Sequence, residues 1–132
     1  MISVGIFNGY FPYNLEETIK RIKALGFTSV QLDLSFKEMD LSFDSLNQKK
    51  CHFIRDAFRD ANLPIVAVSG YTNIVHPNLK KREENLKNLK TLLKLARDFG
   101  SPYVVSETGT FNEDSDWVYH EKNGTEEAYD TL

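Results

Sequence analysis

The chain has 132 residues, 41% apolar and 12% aromatic, so it can form the core of about one domain and is not a disordered tail. Its 16 basic and 19 acidic side chains give a net charge of −3, which disfavours nucleic acid or an anionic membrane as a partner. The single cysteine, Cys51, excludes an internal disulfide, and the chain opens on a strand-like segment instead of a secretory leader, so we expect a cytoplasmic protein.

The first half of the chain contains two predicted pairs of strand and helix. Residues 2–7 form the first strand, after which Asn14 offers a helix N-cap with Glu17 in the capping-box position. The first helix has apolar residues at helical spacing, namely Ile19, Ile22 and Leu25. Residues 28–34 are rich in strand-forming side chains. The second helix is predicted to direct the following side chains toward the core: Leu46, Phe53, Ala57, Phe58 and Ala61.

The third pair begins with a strand that is apolar on both faces. Residues 65–69 have the pattern of a buried parallel strand, and residues 70–77 form a long loop of the kind that often carries a binding site. Residues 78–99 are predicted to be a helix with a charged outer face. Its apolar stripe comprises Leu79, Leu86, Leu89, Leu92, Leu93, Ala96 and Phe99.

The last part of the chain has a fourth strand and the beginning of a further helix. Residues 102–107 are the predicted strand, residues 108–124 a long polar loop, and Thr125 the N-cap of the helix. Strands that alternate with helices of this length predict a parallel sheet with right-handed crossovers.

Each of the first three helices ends on a residue that tolerates the left-handed conformation, and an apolar strand follows almost at once. These residues are Gly26, Asn62 and Gly100, which stand 36 and 38 residues apart, the length of one βα unit. Eight such units make a barrel of roughly 250 residues, of which this chain has about four. We therefore predict an α/β fold, the N-terminal half of a TIM (βα)8 barrel, in a single truncated domain over residues 1–132. A flavodoxin-like sheet, in which the strand order reverses, is the alternative.

Polar side chains that directly follow the strands are the candidate site residues, because parallel βα proteins bind ligands at the carboxyl ends of their strands. Glu107 is the candidate catalytic residue, since it comes directly after residues 103–106 at the carboxyl end of the fourth strand, where a barrel opens onto its pocket. The candidate substrate-binding residues are His76, Asn8, Asp33, Tyr71, Asn73 and Thr108. Such a set can bind sugar hydroxyls, relay protons or help to hold a divalent metal.

Each candidate also has a purely structural interpretation. Asp33 could face solvent or pair with a helix N-terminus, and His76 could belong to the cap of the helix that follows Pro77. Trp117 in the polar loop is either a lid contact or the cover of an apolar patch. The sequence contains no glycine-rich phosphate loop, nucleophile elbow, HExxH or CxxC motif, so nothing in it indicates a nucleophilic mechanism.

Three segments form an ordered set: residues 26–32, residues 68–77 with Arg82, and residues 96–110. Over nearly the whole chain this set resembles the sugar phosphate isomerase/epimerase family with the xylose isomerase-like TIM barrel. The resemblance implies a barrel in which a divalent metal such as Mn, Mg, Co or Zn polarises a ketose while carboxylates move a proton between neighbouring carbons. It implies substrate-side roles for His76 and Glu107, and no metal ligand in this chain, because the family's ligands come chiefly from later strands.

We therefore expect a sugar or sugar phosphate isomerase or epimerase that is incomplete, and inactive, in this chain alone. Open sheet edges predict pairing with the missing half or with a second copy. Two other functions stay open. An abasic-site endonuclease-like barrel would need a basic DNA-binding face and several metal-binding histidines. The net charge of −3 and the presence of only three histidines argue against it. In a non-catalytic half-barrel that serves binding or assembly, Asp33, His76 and Glu107 would be ordinary structural residues.

Overall fold

Four strands form one parallel sheet in the computed structural model, which describes residues 2–132. They are β1 (Gly5–Phe7), β2 (Ser29–Leu32), β3 (Ile65–Ser69) and β4 (Val104–Val105). Each strand lies beside the next one in the chain, in the order β1-β2-β3-β4. This progression without reversal is that of a TIM barrel and not of a flavodoxin-like sheet, so the predicted α/β barrel class is confirmed.

Helices follow the strands in turn. They are α1 (Leu15–Ala24), α2 (Gln48–Asp60), α3 (Leu79–Leu95) and α4 (Glu126–Thr131), and short 3₁₀ turns lie at Asn8–Tyr10 and Glu121–Gly124. In the part of the chain that the structure describes, no helix is long and apolar enough to cross a membrane.

Asparagine side chains cap the first three helices. The Oδ1 atoms of Asn14, Asn47 and Asn78 accept hydrogen bonds from the backbone N–H three residues further on, at 3.0, 3.1 and 3.1 Å. The prediction for Asn14 is thus confirmed. Thr125 does precede α4, but its hydroxyl donates to the Lys122 carbonyl at 2.8 Å instead of capping the helix.

The left-handed residues predicted at the helix ends are present. Gly26, Asn62 and Gly100 have φ angles of 84°, 54° and 83°. A Cβ atom on Gly100 would lie 2.9 Å from Cγ of Arg55, so this position excludes larger residues for a second reason. The recurring motif therefore marks the places where the chain leaves a helix and turns back into the sheet.

The first of two compact units comprises the chain up to Ser69 and residues Leu92–Val104, and it contains the larger apolar core. Its fully buried large side chains include Ile22, Leu32, Ile54, Phe58, Leu63 and Phe99. On α2 the buried stripe runs through Cys51, Ile54 and Phe58. Phe53 lies about 100° around the helix from Ile54 and is 59% exposed, so its predicted core position was wrong.

The second unit comprises Gly70–Thr91 and Val105–Leu132. Its apolar cluster is small and consists of Val75, Phe111 and Ala128, with Ile74 packed against them. Leu79, the first residue of α3 and predicted for its apolar stripe, is 66% exposed, so this predicted core position was wrong. The second unit thus has little apolar packing of its own, and its order depends on other interactions.

Candidate functional site

In the first unit, Asn8 joins the ends of β1 and β2. Its side chain is buried, and its Nδ2 donates to the Asp33 carbonyl at 3.0 Å while its Oδ1 accepts from the Asp33 N–H at 2.6 Å. These two bonds continue the pairing of Phe7 with Gln31 beyond the end of the strands. The Asn8 amide therefore acts like a further residue of β1 and fixes the backbone of Asp33.

Asp33 is half-buried, and its carboxylate accepts no hydrogen bond from residues 2–132. A carboxylate on a fixed backbone with unused acceptor atoms can receive hydrogen bonds from hydroxyl groups of a ligand. The structure therefore brings two predicted site residues together in different surroundings. The Asn8 side chain bonds to the backbone of Asp33, whereas the Asp33 carboxylate has no hydrogen-bond partner among the described residues.

In the second unit, Asn73 ties the loop after β3 to the loop after β4. Its side chain is fully buried, its Oδ1 accepts from the N–H groups of Val75 at 3.2 Å and Thr110 at 3.1 Å, and its Nδ2 donates to the Thr110 carbonyl at 2.7 Å. Its own carbonyl accepts from Asn85 Nδ2 at 2.8 Å. The predicted substrate-binding residue Asn73 thus has its amide engaged by backbone groups.

Gly109 completes this arrangement, which we call the Asn73 clasp (Asn73, Gly109 and Thr110). The φ angle of Gly109 is 98°, and a Cβ atom there would collide with the Asn73 side chain. Glycine is therefore required both by the backbone conformation and by the closeness of the buried amide. The Thr110 hydroxyl donates to the Val118 carbonyl at 2.8 Å, which extends the clasp into the long polar loop.

Glu107 lies two residues beyond β4 on a braced backbone. On one side, the Gly70 N–H donates to the Val105 carbonyl at 2.8 Å, and on the other the Ile74 N–H donates to the Thr108 carbonyl at 3.2 Å. The Glu107 side chain is half-buried, and its carboxylate forms no hydrogen bond or ion pair with the described part of the chain. Thr108 beside it is exposed. The Glu107 backbone is thus held in place on both sides, and its carboxylate has no bonding partner among the described residues.

His76 is buried at the start of α3. Its Nδ1 accepts a hydrogen bond from the Asn78 N–H at 3.0 Å, and its carbonyl accepts from Arg82 Nε at 2.9 Å. The structural interpretation of His76 as part of the helix cap is therefore correct for Nδ1. Its Nε2 is buried and has no hydrogen-bond partner among residues 2–132.

Tyr71 and Trp117 form an aromatic pair. Their ring centroids are 6.2 Å apart at an interplanar angle of 68°, and the side chains are 44% and 70% exposed. The sequence alone gave Trp117 no defined role. The structure shows its contact with a predicted site residue, which only the folded loop could reveal, since 46 positions separate the two in the sequence. Exposed aromatic faces can pack against the apolar face of a sugar ring.

A metal centre is not formed by the described residues alone. No group of three or more His, Cys, Asp or Glu side chains among residues 2–132 is arranged to hold a metal ion. The ligands of the divalent metal that the family resemblance implies for the whole barrel are therefore not assembled by the described residues themselves.

Comparison with known proteins agrees with this fold. Residues 19–132 match the sequence profile described as xylose isomerase-like TIM barrel. The chain is similar to the structure of 3-keto-D-glucoside 4-epimerase, YcjR, from E. coli, at 20% identity and a TM-score of 0.60, over 83% of this chain and 39% of that protein. It is also similar to a xylose isomerase-like TIM barrel/4-hydroxyphenylpyruvate dioxygenase fusion protein, at 18% identity and a TM-score of 0.53, over 77% of this chain and 15% of the other. A search of curated proteins found no match.

These comparisons carry different weight. The profile covers well over half of the chain, and the predicted family resemblance is confirmed by it. The two solved structures share too little sequence to show more than the fold. The chain spans less than half the length of either one, so an activity of a whole barrel is not a property that these residues show by themselves.

Proposed function

Because the chain belongs to the xylose isomerase-like TIM barrel family, we propose that it forms part of a carbohydrate isomerase or epimerase. The proposed reaction is proton transfer on a ketose or a related carbohydrate, free or phosphorylated. The structurally similar 3-keto-D-glucoside 4-epimerase supports this substrate class, since its name describes a keto sugar. The net charge of −3 gives no support to an abasic nucleic acid as the substrate.

The main observation behind the proposal is that the carboxylate of Glu107 has no hydrogen-bond or ion-pair partner among the described residues. A general base needs a side chain that is held in place and whose oxygen atoms are available to a substrate proton. Backbone bonds at Val105 and Thr108 hold this residue from both sides, while its carboxylate is bonded to nothing within the described residues. Glu107 therefore has the geometry of a proton carrier more than that of a structural carboxylate.

The proposed step removes the proton from the carbon beside the sugar carbonyl. The C–H bond breaks, the proton passes to the Glu107 carboxylate, and the electron pair forms a carbon–carbon double bond as the carbonyl oxygen becomes negative. For an isomerisation, the carboxylate returns the proton on the same face to the former carbonyl carbon, while the hydroxyl proton of the first carbon passes to the negative oxygen, so that the carbonyl re-forms on the first carbon. An epimerisation requires return from the opposite face, and therefore a second acid in addition to Glu107.

The remaining predicted residues have binding roles in this proposal. Tyr71 and Thr108 are exposed and offer hydroxyl groups for hydrogen bonds to a sugar, and His76 is a substrate-binding residue. Asp33, whose backbone is held by Asn8, remains a predicted substrate-binding residue. Asn73 would act on the substrate indirectly, by fixing the loop that bears Glu107 and Thr108.

Association through sheet edges is part of the same proposal. Within the described sheet, β1 and β4 each pair with one other strand, and an unpaired strand edge favours further strand pairing. Light scattering on the 132-residue chain would test this, because a mass of 15.2 kDa at all concentrations would contradict association of these residues with a second copy.

Solvent deuterium exchange would test the proposed chemistry. The full-length protein is incubated in D₂O with a 3-keto-D-glucoside, D-fructose or D-fructose 6-phosphate, and NMR follows deuterium entering at the carbon beside the carbonyl. Glu107→Gln should slow this exchange by about 100- to 10,000-fold, the usual contribution of a general base. Its free energy of unfolding should stay within about 1 kcal/mol, because the substituted group is not part of a packed core.

The matched control is Glu113→Gln, which removes an exposed glutamate from the following loop. It should exchange deuterium at the rate of the parent protein. Exchange that persists in Glu107→Gln, or a loss of stability with unchanged exchange, would contradict the proposed function.

A further inference from the structure

A cavity of about 320 Å³ lies in the first unit at the amino end of β3, and not at the carboxyl ends of the strands, where the candidate site residues are. Its walls come from the second half of α2, the turn from α2 into β3, and the residues that follow α3. Most of the lining is apolar and consists of Phe58, Leu63, Pro64, Ile65 and Phe99. The volume is within the range of about 300–1,000 Å³ that is typical of small-molecule sites.

Two arginines also line the cavity, and they differ in how much of each guanidinium group is engaged. Arg59 donates through Nε and Nη2 to Asp60 Oδ1, at 3.3 and 3.1 Å, and its Nη1 lies 2.9 Å from Asp56 Oδ1. Arg55 donates through Nε to Asp56 Oδ1 at 2.8 Å, and its two Nη groups have no partner among the described residues. Since a guanidinium has several N–H donors, most of those of Arg55 remain available to a ligand.

Gly100 holds the Arg55 side chain beside the cavity. This glycine lines the cavity, and a Cβ atom on it would lie 2.9 Å from Cγ of Arg55. The stem of Arg55 therefore runs close to the Gly100 backbone, and the side chain is 32% exposed. Because this contact limits the directions that the guanidinium can take, less conformational entropy is lost when a ligand binds to it.

The charged groups that line the cavity are both positive, whereas their counter-charges are not part of its lining. Asp56 and Asp60 bond to the arginines from outside the cavity. Asp98, whose charge also acts on Arg55, is bonded to Nε2 of His52 at 2.8 Å. A group in the cavity therefore contacts the cations first, but the aspartates leave no excess positive charge nearby. This balance favours a ligand with one negative charge over a phosphate dianion.

We propose that this cavity binds a small monocarboxylate with an apolar body, such as an aromatic acid. The carboxylate accepts hydrogen bonds from the Nη groups of Arg55. The side chain of Asn62, which also lines the cavity, offers a further N–H donor. The apolar body packs against Leu63, Pro64 and Ile65. The inference goes beyond the proposed function and does not depend on it, because none of these residues takes part in the proposed reaction.

Titration of the full-length, nitrogen-15-labelled protein with four probes separates the contribution of the charge from that of the apolar body. The probes are benzoate, benzyl alcohol, acetate and inorganic phosphate. Benzoate should shift the amide signals of Leu63, Ile65 and Gly100 with a Kd of about 1 mM, a value suited to a ligand of this size. Benzyl alcohol should bind about tenfold more weakly, since it lacks the charge-assisted bond. Acetate and phosphate should not saturate these signals at about 10 mM, since neither has an apolar body.

Unmoved signals in the presence of benzoate would overturn the inference. So would acetate or phosphate binding as tightly as benzoate, because the site would then recognise charge alone. Equal affinity for benzoate and benzyl alcohol would show an apolar cavity that does not recognise a carboxylate, and this result would overturn the inference as well.

A pair of matched variants tests the role of Arg55. Arg55→Gln should weaken benzoate binding about tenfold, the effect of one charge-assisted hydrogen bond, and leave benzyl alcohol binding unchanged. Arg59→Gln should weaken benzoate binding by less than about threefold, because the Arg59 N–H groups are already bonded to Asp56 and Asp60. Equal effects of the two substitutions on benzoate would overturn the assignment of the carboxylate to Arg55.

Thermal unfolding provides the control for folding. Without a ligand, Arg55→Gln should melt within about 2 °C of the parent, since the substituted group lies at the surface. Saturating benzoate should raise the melting temperature of the parent more than that of Arg55→Gln, because a ligand stabilises the state that binds it. If Arg55→Gln does not fold, the comparison of benzoate with benzyl alcohol on the parent protein decides the inference.

Discussion

The two units of the chain are stabilised by different kinds of interaction. The first unit buries an apolar cluster to which α1, α2, β2 and β3 all contribute. The second has a small apolar cluster of Val75, Phe111 and Ala128, and its loops are joined by the buried amide of Asn73. The unit that bears Glu107 thus depends on directional hydrogen bonds, whereas the other depends mainly on packing that has no preferred direction.

This difference matters because the two kinds of interaction respond differently to change. An apolar core loses stability in proportion to the surface and volume that a substitution removes. A buried polar network fails when one member loses its geometry, since the groups left unpaired are costly. We therefore expect substitutions in the first unit to affect mainly stability, and substitutions in the Asn73 clasp to affect the geometry around Glu107.

The largest expected effect is in the core of the first unit. Phe58 is fully buried on α2, so Phe58→Ala should lower the free energy of unfolding by about 3–5 kcal/mol. Phe53 on the same helix is 59% exposed, and Phe53→Ala should change that free energy by about 0.5 kcal/mol or less. Urea unfolding of the two variants measures the difference. Similar losses for both would show that the buried stripe on α2 is misassigned.

The helix ends and the strand positions were predictable because they depend on local chemistry. A left-handed residue at Gly26, Asn62 and Gly100, and an asparagine cap at Asn14, each follow from the conformations and hydrogen bonds that a few neighbouring residues can adopt. The order of the strands was less accessible. Periodicity indicates which residues form a strand, but the way in which the helices pack on the sheet determines which strands become neighbours. The sequence therefore left a flavodoxin-like strand order open, and the structure excludes it.

The candidate site was predictable in position but not in the role of each residue. Asn8 and Asn73 do follow strands, as the sequence indicated, yet both amides bond to backbone groups, 25 and 37 residues away. Whether an amide faces a ligand or a distant loop depends on contacts that exist only after folding. The unpaired Nε2 of His76 was invisible for the same reason, since it follows from the bond between Nδ1 and Asn78.

A second prediction concerns the reactivity of the Cys51 thiol, which measures how well the core of the first unit shields it from solvent. Burial, with a further contribution from the charge of Asp98, raises the pKa of this thiol from 9.0 to about 11. At pH 8 the thiolate fraction should be about 100-fold smaller than in the unfolded chain, so alkylation should be slower by at least that factor relative to the chain in urea. Equal rates of alkylation, followed by mass spectrometry, would show that the first unit opens readily.

The same shift predicts how stability depends on pH. The folded chain holds the thiol proton more tightly than the unfolded chain, so this group stabilises the fold below its unfolded pKa of 9.0. That contribution should disappear as the pH rises from 9.0 to about 11. Cys51→Ala provides the control, because its unfolding free energy should fall less steeply than that of the parent across this range.

The smallest of these effects is the difference between two glycines that both have a positive φ. At Gly26, whose φ is 84°, a Cβ atom would have no other part of the protein within 4 Å, whereas a Cβ atom on Gly109, at a φ of 98°, would collide with Asn73. Gly26→Ala should therefore lower the free energy of unfolding only through backbone strain, by about 1–2 kcal/mol. Gly109→Ala should lower the free energy of unfolding by about 1–2 kcal/mol more than Gly26→Ala does, because the Asn73 side chain must move and its bonds to Thr110 weaken.

Deuterium exchange and Cys51 alkylation, measured on both variants, show whether this cost falls on the second unit. Gly109→Ala should slow exchange into the keto sugar, since the loop that bears Glu107 loses its brace, and should leave Cys51 as slow to react as in the parent. Gly26→Ala should leave the exchange rate unchanged. Faster alkylation of Cys51 in Gly109→Ala would mean that the packing of the first unit depends on the clasp, and the contrast between a unit held by packing and a unit held by hydrogen bonds would be wrong.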